Sequence, residues 1–294
     1  MSKKLLTQVG FEKESKQPFI RFSDSDEVRL RQLDFGEELS LKFNTSDRHC
    51  IGWFNPNTGE NHVCPTKSRV EAKYEQCKEC MIKTGFNPSF YNIDAISANQ
   101  AEYNTHPHIL YLAYFSPDDI KIGISHAGRN LSRLLEQGAR LAFVLDTFPS
   151  ANIARHYEAQ ISKLDGILDN VKLSRKIELL KYSFDEKLAE EQLSAKKDFI
   201  EERLQTKFAK AELIRTNHFF FAQDFQQDRL REVIDLEEKA QISGKFVGMI
   251  GQIILCEKND DLLSLPLKKL VGYQFDDTKT DEEIELPSTQ FSLF

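Results

Sequence analysis

The sequence lacks any run of apolar residues approaching the ~20 that cross a bilayer as a helix. Its opening stretch, MSKKLLTQVGFEKESKQ, has no apolar segment of signal-peptide length. Both absences lead to the expectation of a cytoplasmic protein. Tryptophan occurs once and methionine three times, so the core must be built from aliphatic residues and 22 phenylalanines. Cysteine is scarce, at 5 in 294 residues. In a reducing compartment such cysteines serve as metal ligands or buried thiols rather than disulfides. A surplus of positive charge is missing as well. The net charge is −7, which by itself argues weakly against a nucleic-acid binder. The deficit is uneven, however: from Asp276 onward six acids face only Lys279, so most of the negative charge sits in the tail. A nearly neutral body can still present a local basic groove.

The organisation predicted from the pattern is α+β. Residues 1–45 alternate like short strands (FIRF, VRLRQLDF, LSLKF). Residues 46–85 hold four of the five cysteines, and 86–105 form a polar connector. From His106 to about 165 the order is strand, turn, strand, helix, strand, helix. Here HILYLAYF and IKIGIS form a hairpin, GRNLSRLLEQ is a helix stopped by Gly138, and Ser150 stands where it can cap ANIARHYEAQISKL. Residues 172–240 are charged and predicted helical. Leu188, Ile200, Leu204 and Phe208 form one apolar stripe there, and the charges form a solvated face. Residues 241–275 return to strands in a small β-barrel-like sheet, bent at Gly244, Gly248 and Gly251, that can pair with 1–45. Residues 276–294 form an acidic, disordered tail.

The cysteine spacing carries chemistry. Thirteen residues separate Cys50 from Cys64 and twelve separate Cys64 from Cys77, which opens the C-x-x-C pair Cys77–Cys80. Two thiolates at that spacing grip one ion through a tight turn, and Cys50 and Cys64 complete the four ligands that tetrahedral Zn(II) takes. His49 and His62 stand as substitutes for one of them. The competing reading is unliganded cysteines in a loop of about 40 residues with little core of its own. Four thiolates close the coordination sphere, so the ion is structural. Cys256, in an apolar strand, is read as core.

The stretch LYLAYFSPDDIKIGISHAGRNLSRLLEQGA followed by NIARHYEAQI resembles a GIY-YIG nuclease domain through Tyr111, Lys121-Ile122-Gly123, Arg133 and Glu158. Leu-Tyr stands for the family's Ile-Tyr, Lys-Ile-Gly for its Tyr-Ile-Gly, and Ala154 and Glu158 match its glutamate helix. The wider layout resembles the uncharacterised bacterial and archaeal family DUF2797. The resemblance implies a metal-dependent DNA endonuclease. Tyr111 would act as general base, Lys121 would supply the positive charge that lowers its pKa, and Arg133 and Arg129 would bind the scissile phosphate. Glu158 would hold Mg(II) or Mn(II), with His126 touching phosphate. The plainer reading makes Tyr111 core and Arg133–Glu158 an ion pair. Two departures, the missing glycine before Tyr111 and Lys121 in place of tyrosine, leave a non-catalytic nucleic-acid binder open.

The closing QFSLF resembles the bacterial sliding-clamp-binding pentapeptide. Gln290 would make amide hydrogen bonds, and Phe291, Ser292, Leu293 and Phe294 would sit along an apolar cleft. A glycine-free acidic linker would present it. The alternative folds Phe291 and Phe294 back onto the body. Together these features predict a clamp-recruited nuclease acting on single-stranded or branched DNA in repair, recombination or replication. A clamp adaptor without catalysis, or an RNA- or ribosome-associated binder, are the other readings.

Overall fold

The computed structural model describes residues 4–86, 96–129 and 131–278. The chain opens with β1 (Lys4–Phe11), β2 (Pro18–Asp24), β3 (Glu27–Gln32) and β4 (Glu38–Asn44), then the short pair β5 (Trp53–Phe54) and β6 (Asn61–His62). Helices α1 (Lys78–Thr84) and α2 (Ala98–Thr105) precede β7 (His108–Ser116) and β8 (Asp119–His126). After them come α3 (Ser132–Gln137), β9 (Leu141–Phe148), α4 (Ala151–Ile161), α5 (Leu173–Leu179) and α6 (Glu186–Leu204). Strands β10 (Glu212–Arg215), β11 (Ile234–Asp235), β12 (Gln241–Ile250), β13 (Ile253–Lys258), β14 (Asp261–Pro266) and β15 (Gln274–Asp276) complete the order.

A nine-stranded sheet joins the two ends of this range in the order β11-β14-β13-β12-β4-β15-β1-β2-β3. β15 lies between β4 and β1, antiparallel to both, so three C-terminal residues stitch the N-terminal strands to the rest. Alternation decides the facing: in β4, Leu39, Leu41 and Phe43 turn inward and their neighbours outward. Gly248 marks a register shift between β12 and β13, and Gly251 turns the chain between them with φ +62°.

The second sheet has the order β10-β9-β7-β8. Leu110, Leu112, Ile120 and Ile122 on one face meet α6 and part of α4 through Leu193, Ile200 and Ile161. The other face carries Tyr111 and Ala113 and packs against Leu134 of α3 and Leu179 of α5. The two sheets touch where glycines let backbones approach. A Cβ on Gly138, the left-handed residue that ends α3, would lie 3.3 Å from the amide of Gly251.

The structure departs from the sequence reading in three places. The helix expected to continue to Phe208 ends at Gln205 (φ +49°), because the buried Glu201 carboxylate accepts the Phe208 N–H at 2.9 Å and pairs with Lys207 at 2.9 Å. Its buried stripe is Ala189, Leu193 and Ile200, whereas Leu188 is 42% exposed. The rest of the segment read as helical contains β10, which extends the second sheet. Ser150 occupies the N-cap position of α4 without a side-chain capping bond. The acidic tail from Lys279 to Phe294, with the QFSLF segment, lies outside the described residues.

Candidate functional site

Two clusters of chemistry-bearing side chains stand out. In the first, the sulfurs of Cys50, Cys64, Cys77 and Cys80 all lie within 4.8 Å of one another. A tetrahedron with Zn–S bonds near 2.3 Å has edges of about 3.8 Å, so a slight contraction suffices to hold an ion. Cys77 stands at the N-cap of α1 with Cys80 in its first turn. The Cys77 N–H donates to Cys50 Sγ at 3.1 Å. The Cys50 loop is tight enough to require Gly52, whose φ is +89° and whose Cβ would meet the His62 carbonyl at 1.9 Å. The histidines considered as ligands are placed differently. His62 stacks on Trp53, ring centroids 3.9 Å apart. His49 contributes a backbone bridge to Arg69. The four cysteines form the one group of potential metal ligands among the described residues.

The second cluster is built on the β7–β8 hairpin. Tyr111 pairs with Gly123 and Ala113 with Lys121, so Tyr111 and Lys121 are diagonal neighbours on one face. The phenol lies across Gly123: a Cβ there would stand 2.6 Å from Tyr111 Oη. The glycine of K-I-G is therefore what admits the ring. Ala154 is fully buried, which lets α4 approach β8 closely, and Glu158 follows one turn later on the same face. Arg133 projects from α3.

Electrostatics link these groups. Burial pushes the Tyr111 phenol up, with nearby Glu158 adding to that, while Arg133 and Arg129 oppose it. Burial pushes the Lys121 amine down and Arg133 reinforces this, with Glu158 opposing. Lys121 donates a hydrogen bond to the Asp169 carbonyl. The positive charge bearing on the phenol thus comes from Arg133 and Arg129, not from Lys121 as the sequence led us to expect. Arg129 is ion-paired with Glu136. With its amide turned to satisfy both groups, Gln137 accepts from Arg133 at 2.9 and 3.0 Å, fixing the guanidinium plane. Glu158 accepts from Arg155 at 2.6 Å. His126 sits among Tyr103, His106 and His108, and its Nδ1 accepts from the Gly128 N–H at 2.9 Å. Burial first, then His108, His106 and Arg129, hold it down to about 4, so it is neutral at pH 7 and is not a cationic phosphate contact.

One residue escaped the sequence reading. Lys176 of α5 lies outside the 106–165 unit, yet burial, Arg133 and Lys121 lower its amine to about 8. Its Nζ stands 5.2 Å over the Phe115 ring. Arg175, bonded to Asp119 in the β7–β8 turn at 2.9 Å, ties α5 to the hairpin and so places Lys176. No spacing rule marks a lysine fixed by an ion pair one residue earlier. Tyr111, Lys121, Arg133 and Glu158 are thus brought together with Lys176 in a group rich in cations around one buried phenol.

A family model described as a protein of unknown function, DUF2797, matches residues 36–275. The chain belongs to the DUF2797 family. The match runs from the start of the nine-stranded sheet's fourth strand through β15, so both clusters lie inside the DUF2797 region. No curated protein and no solved structure matches the chain. The family's description assigns no activity, and function is argued from the site.

Proposed function

We propose that this DUF2797 protein engages the phosphodiester backbone of DNA at the Tyr111–Arg133–Glu158 cluster and hydrolyses it, as a GIY-YIG-like endonuclease. The observation that carries the reading is that Arg133 and Arg129 act on the Tyr111 phenol, with Glu158 beside it, while Lys121 and Lys176 lie close to Arg133. Arg133, Lys121 and Lys176 against the two acids that act on this group, Glu158 and Asp169, leave an excess of positive charge that favours an anion. The planar Arg133 fork, held by Gln137, suits a phosphate. In hydrolysis a water oxygen would attack phosphorus, its proton would pass to the ionised phenol, and the P–O bond to the leaving strand would break. Tyr111 must lose its proton first, which burial opposes and Arg133 and Arg129 favour. A Mg(II) or Mn(II) ion beside Glu158 would supply further charge to the phosphoryl group. Glu158 offers one carboxylate already paired with Arg155, so substrate oxygens and water would have to provide most of its ligands. The four cysteines would hold Zn(II) structurally. The nine-stranded sheet would help grip the nucleic acid, and the QFSLF tail would dock on the bacterial sliding clamp.

A second reading, a clamp adaptor that binds nucleic acid without cutting it, is favoured by one observation: Tyr111 is 1% exposed and its pKa is raised. Incubating wild type, Tyr111→Phe, Arg133→Ala and Glu158→Ala with flapped, branched and single-stranded DNA in Mn(II) separates the two. Cleavage by wild type, lowered at least a hundredfold in each variant, is the expected result. Binding without cleavage in all four would establish the adaptor. Tighter binding of RNA than of every DNA form would replace both with an RNA-associated role.

A further inference from the structure

A cavity of about 250 Å³ lies between the cysteine module and the nine-stranded sheet, away from the Tyr111 cluster. Its floor is a cross-strand row. Leu5 of β1 pairs directly with Ser23 of β2 on one side and with Gln274 of β15 on the other. Directly paired residues point to the same face. Leu6, next in the chain, enters the core, so this row faces outward, toward the module. Strands are spaced about 4.8 Å apart, which sets Ser23 and Gln274 about 10 Å apart with an aliphatic side chain between them. His49, Val63 and two of the clustered cysteines, Cys50 and Cys64, line the cavity from the module, and Lys67 stands with them. Lys67 Nζ pairs with Asp26 of the β2–β3 turn at 2.9 Å, an exposed contact that spans from the module to the sheet.

The polar groups here have nothing to bind in the protein. Among the described residues, the Ser23 hydroxyl and the half-buried Gln274 carboxamide are hydrogen-bonded to no protein group, and both open onto the cavity. A hydroxyl and a carboxamide flanking an apolar floor, without a carboxylate in the lining, match a flat heterocycle with hydrogen-bonding edges. The separation suits the width of one purine ring system. An ammonium joined only to an exposed carboxylate, a pairing of small worth, is available to a phosphate.

We propose that this cavity binds a single nucleobase, its face on Leu5, its edges read by Ser23 and Gln274, and its phosphate directed to Lys67. The base belongs to an unpaired nucleotide of a strand or to a free nucleotide; the chemistry is the same. In the strand form the proposal rests on the nucleic-acid reading above. In the free-nucleotide form it does not.

The test is titration calorimetry with the full chain. The probes are adenosine, guanosine, cytidine and uridine monophosphates, and a single-stranded oligonucleotide with one 2-aminopurine. Gln274→Leu and Ser23→Ala remove the edge contacts, and Leu5→Trp fills the space. Metal content and thermal midpoint establish that each variant is folded. Binding of at least one monophosphate or of the oligonucleotide, weakened tenfold or more in Gln274→Leu and Leu5→Trp, is the expected result. Lys67→Ala should weaken a monophosphate but leave the matching nucleoside unchanged. Oligonucleotide binding that Leu5→Trp and Gln274→Leu leave intact would overturn the cavity proposal and spare the nucleic-acid function. Monophosphate binding lost in those variants, with no oligonucleotide bound, would establish the cavity as a free-nucleotide site and overturn its strand form. If no probe binds, the cavity proposal is wrong, and the nucleic-acid function stands or falls on the flapped and branched DNA.

Discussion

Lys176 shows at the level of one residue how the site departs from a well-packed interior. Its aliphatic stem lies among Phe115, Leu179 and Leu180, while its amine faces Arg133 and Lys121 with no carboxylate acting on it. Keeping that amine charged costs stability, because burial and two neighbouring cations both disfavour the ammonium. Its folded pKa of about 8 lies below the usual lysine value near 10.5. The unfolded chain therefore binds the proton more tightly, and the penalty is full below pH 8 and relieved as pH rises toward 10.5. Lys176→Met should raise unfolding free energy by roughly 1–3 kcal/mol at pH 7, with the gain shrinking between pH 8 and 10.5. The same variant should bind single-stranded DNA more weakly. Urea unfolding at pH 7 and pH 10 beside a binding titration checks both. A variant that is no more stable at pH 7 would mean that the amine is well solvated. The sequence concealed this residue because Lys176 matters only through α5's attachment to the β7–β8 turn, a contact 56 residues long in the chain.

At the scale of elements, legibility followed locality. The β7–β8 hairpin, the Gly138 stop and the cysteine group rest on short-range rules: a turn set by proline, a left-handed glycine and ligand spacing. Strand β10 and the end of α6 do not. The former exists because β9 offers an edge, and the latter because Glu201 captures the Phe208 N–H after the chain has turned back. The burial of Tyr111 followed the plainer reading of an apolar strand, although the elements that cover it, α3 and α5, could not be named from the sequence. The cysteine module gives the clearest test at this scale. Its core cluster holds Cys50, Cys64 and Cys80 with Trp53, Val70 and Cys77 against it, too little apolar area to fold such a segment by burial alone. A metal ion held by the four cysteines would supply the difference. Purified protein should return about one zinc per chain. Cys77→Ser or a strong chelator should remove it and raise amide exchange across residues 48–84 at least a hundredfold, while β7, β8 and β12 keep their protection. Unchanged exchange after zinc loss would show that the module folds without its ion.

The whole molecule is closed by a very short segment. Phe275 of β15 packs against Phe22 and Phe43, ring centroids 5.9 and 5.4 Å away, and its strand bridges β1 to β4. What lies just beyond it has a different task in the proposed function, because a clamp anchor must be free of the fold to reach a partner. The two roles separate by truncation. Ending the chain after Thr278 should leave the thermal midpoint unchanged. Ending it after Tyr273 should cost about 3–5 kcal/mol, since it empties the Phe275 site and removes the strand that joins β1 to β4. Deleting only residues 290–294 should abolish binding to the bacterial clamp in calorimetry. A tether acts by raising local concentration, not by altering chemistry. Cutting of naked DNA should therefore be equal in the full and shortened chains, and cutting of clamp-loaded DNA should fall ten- to a hundredfold in the shortened one. Equal loss on both substrates would place the terminal peptide in the proposed catalytic unit itself. Equal activity on clamp-loaded DNA would remove the clamp from the account and leave the near-neutral body to find its substrate through the cationic cluster around Tyr111.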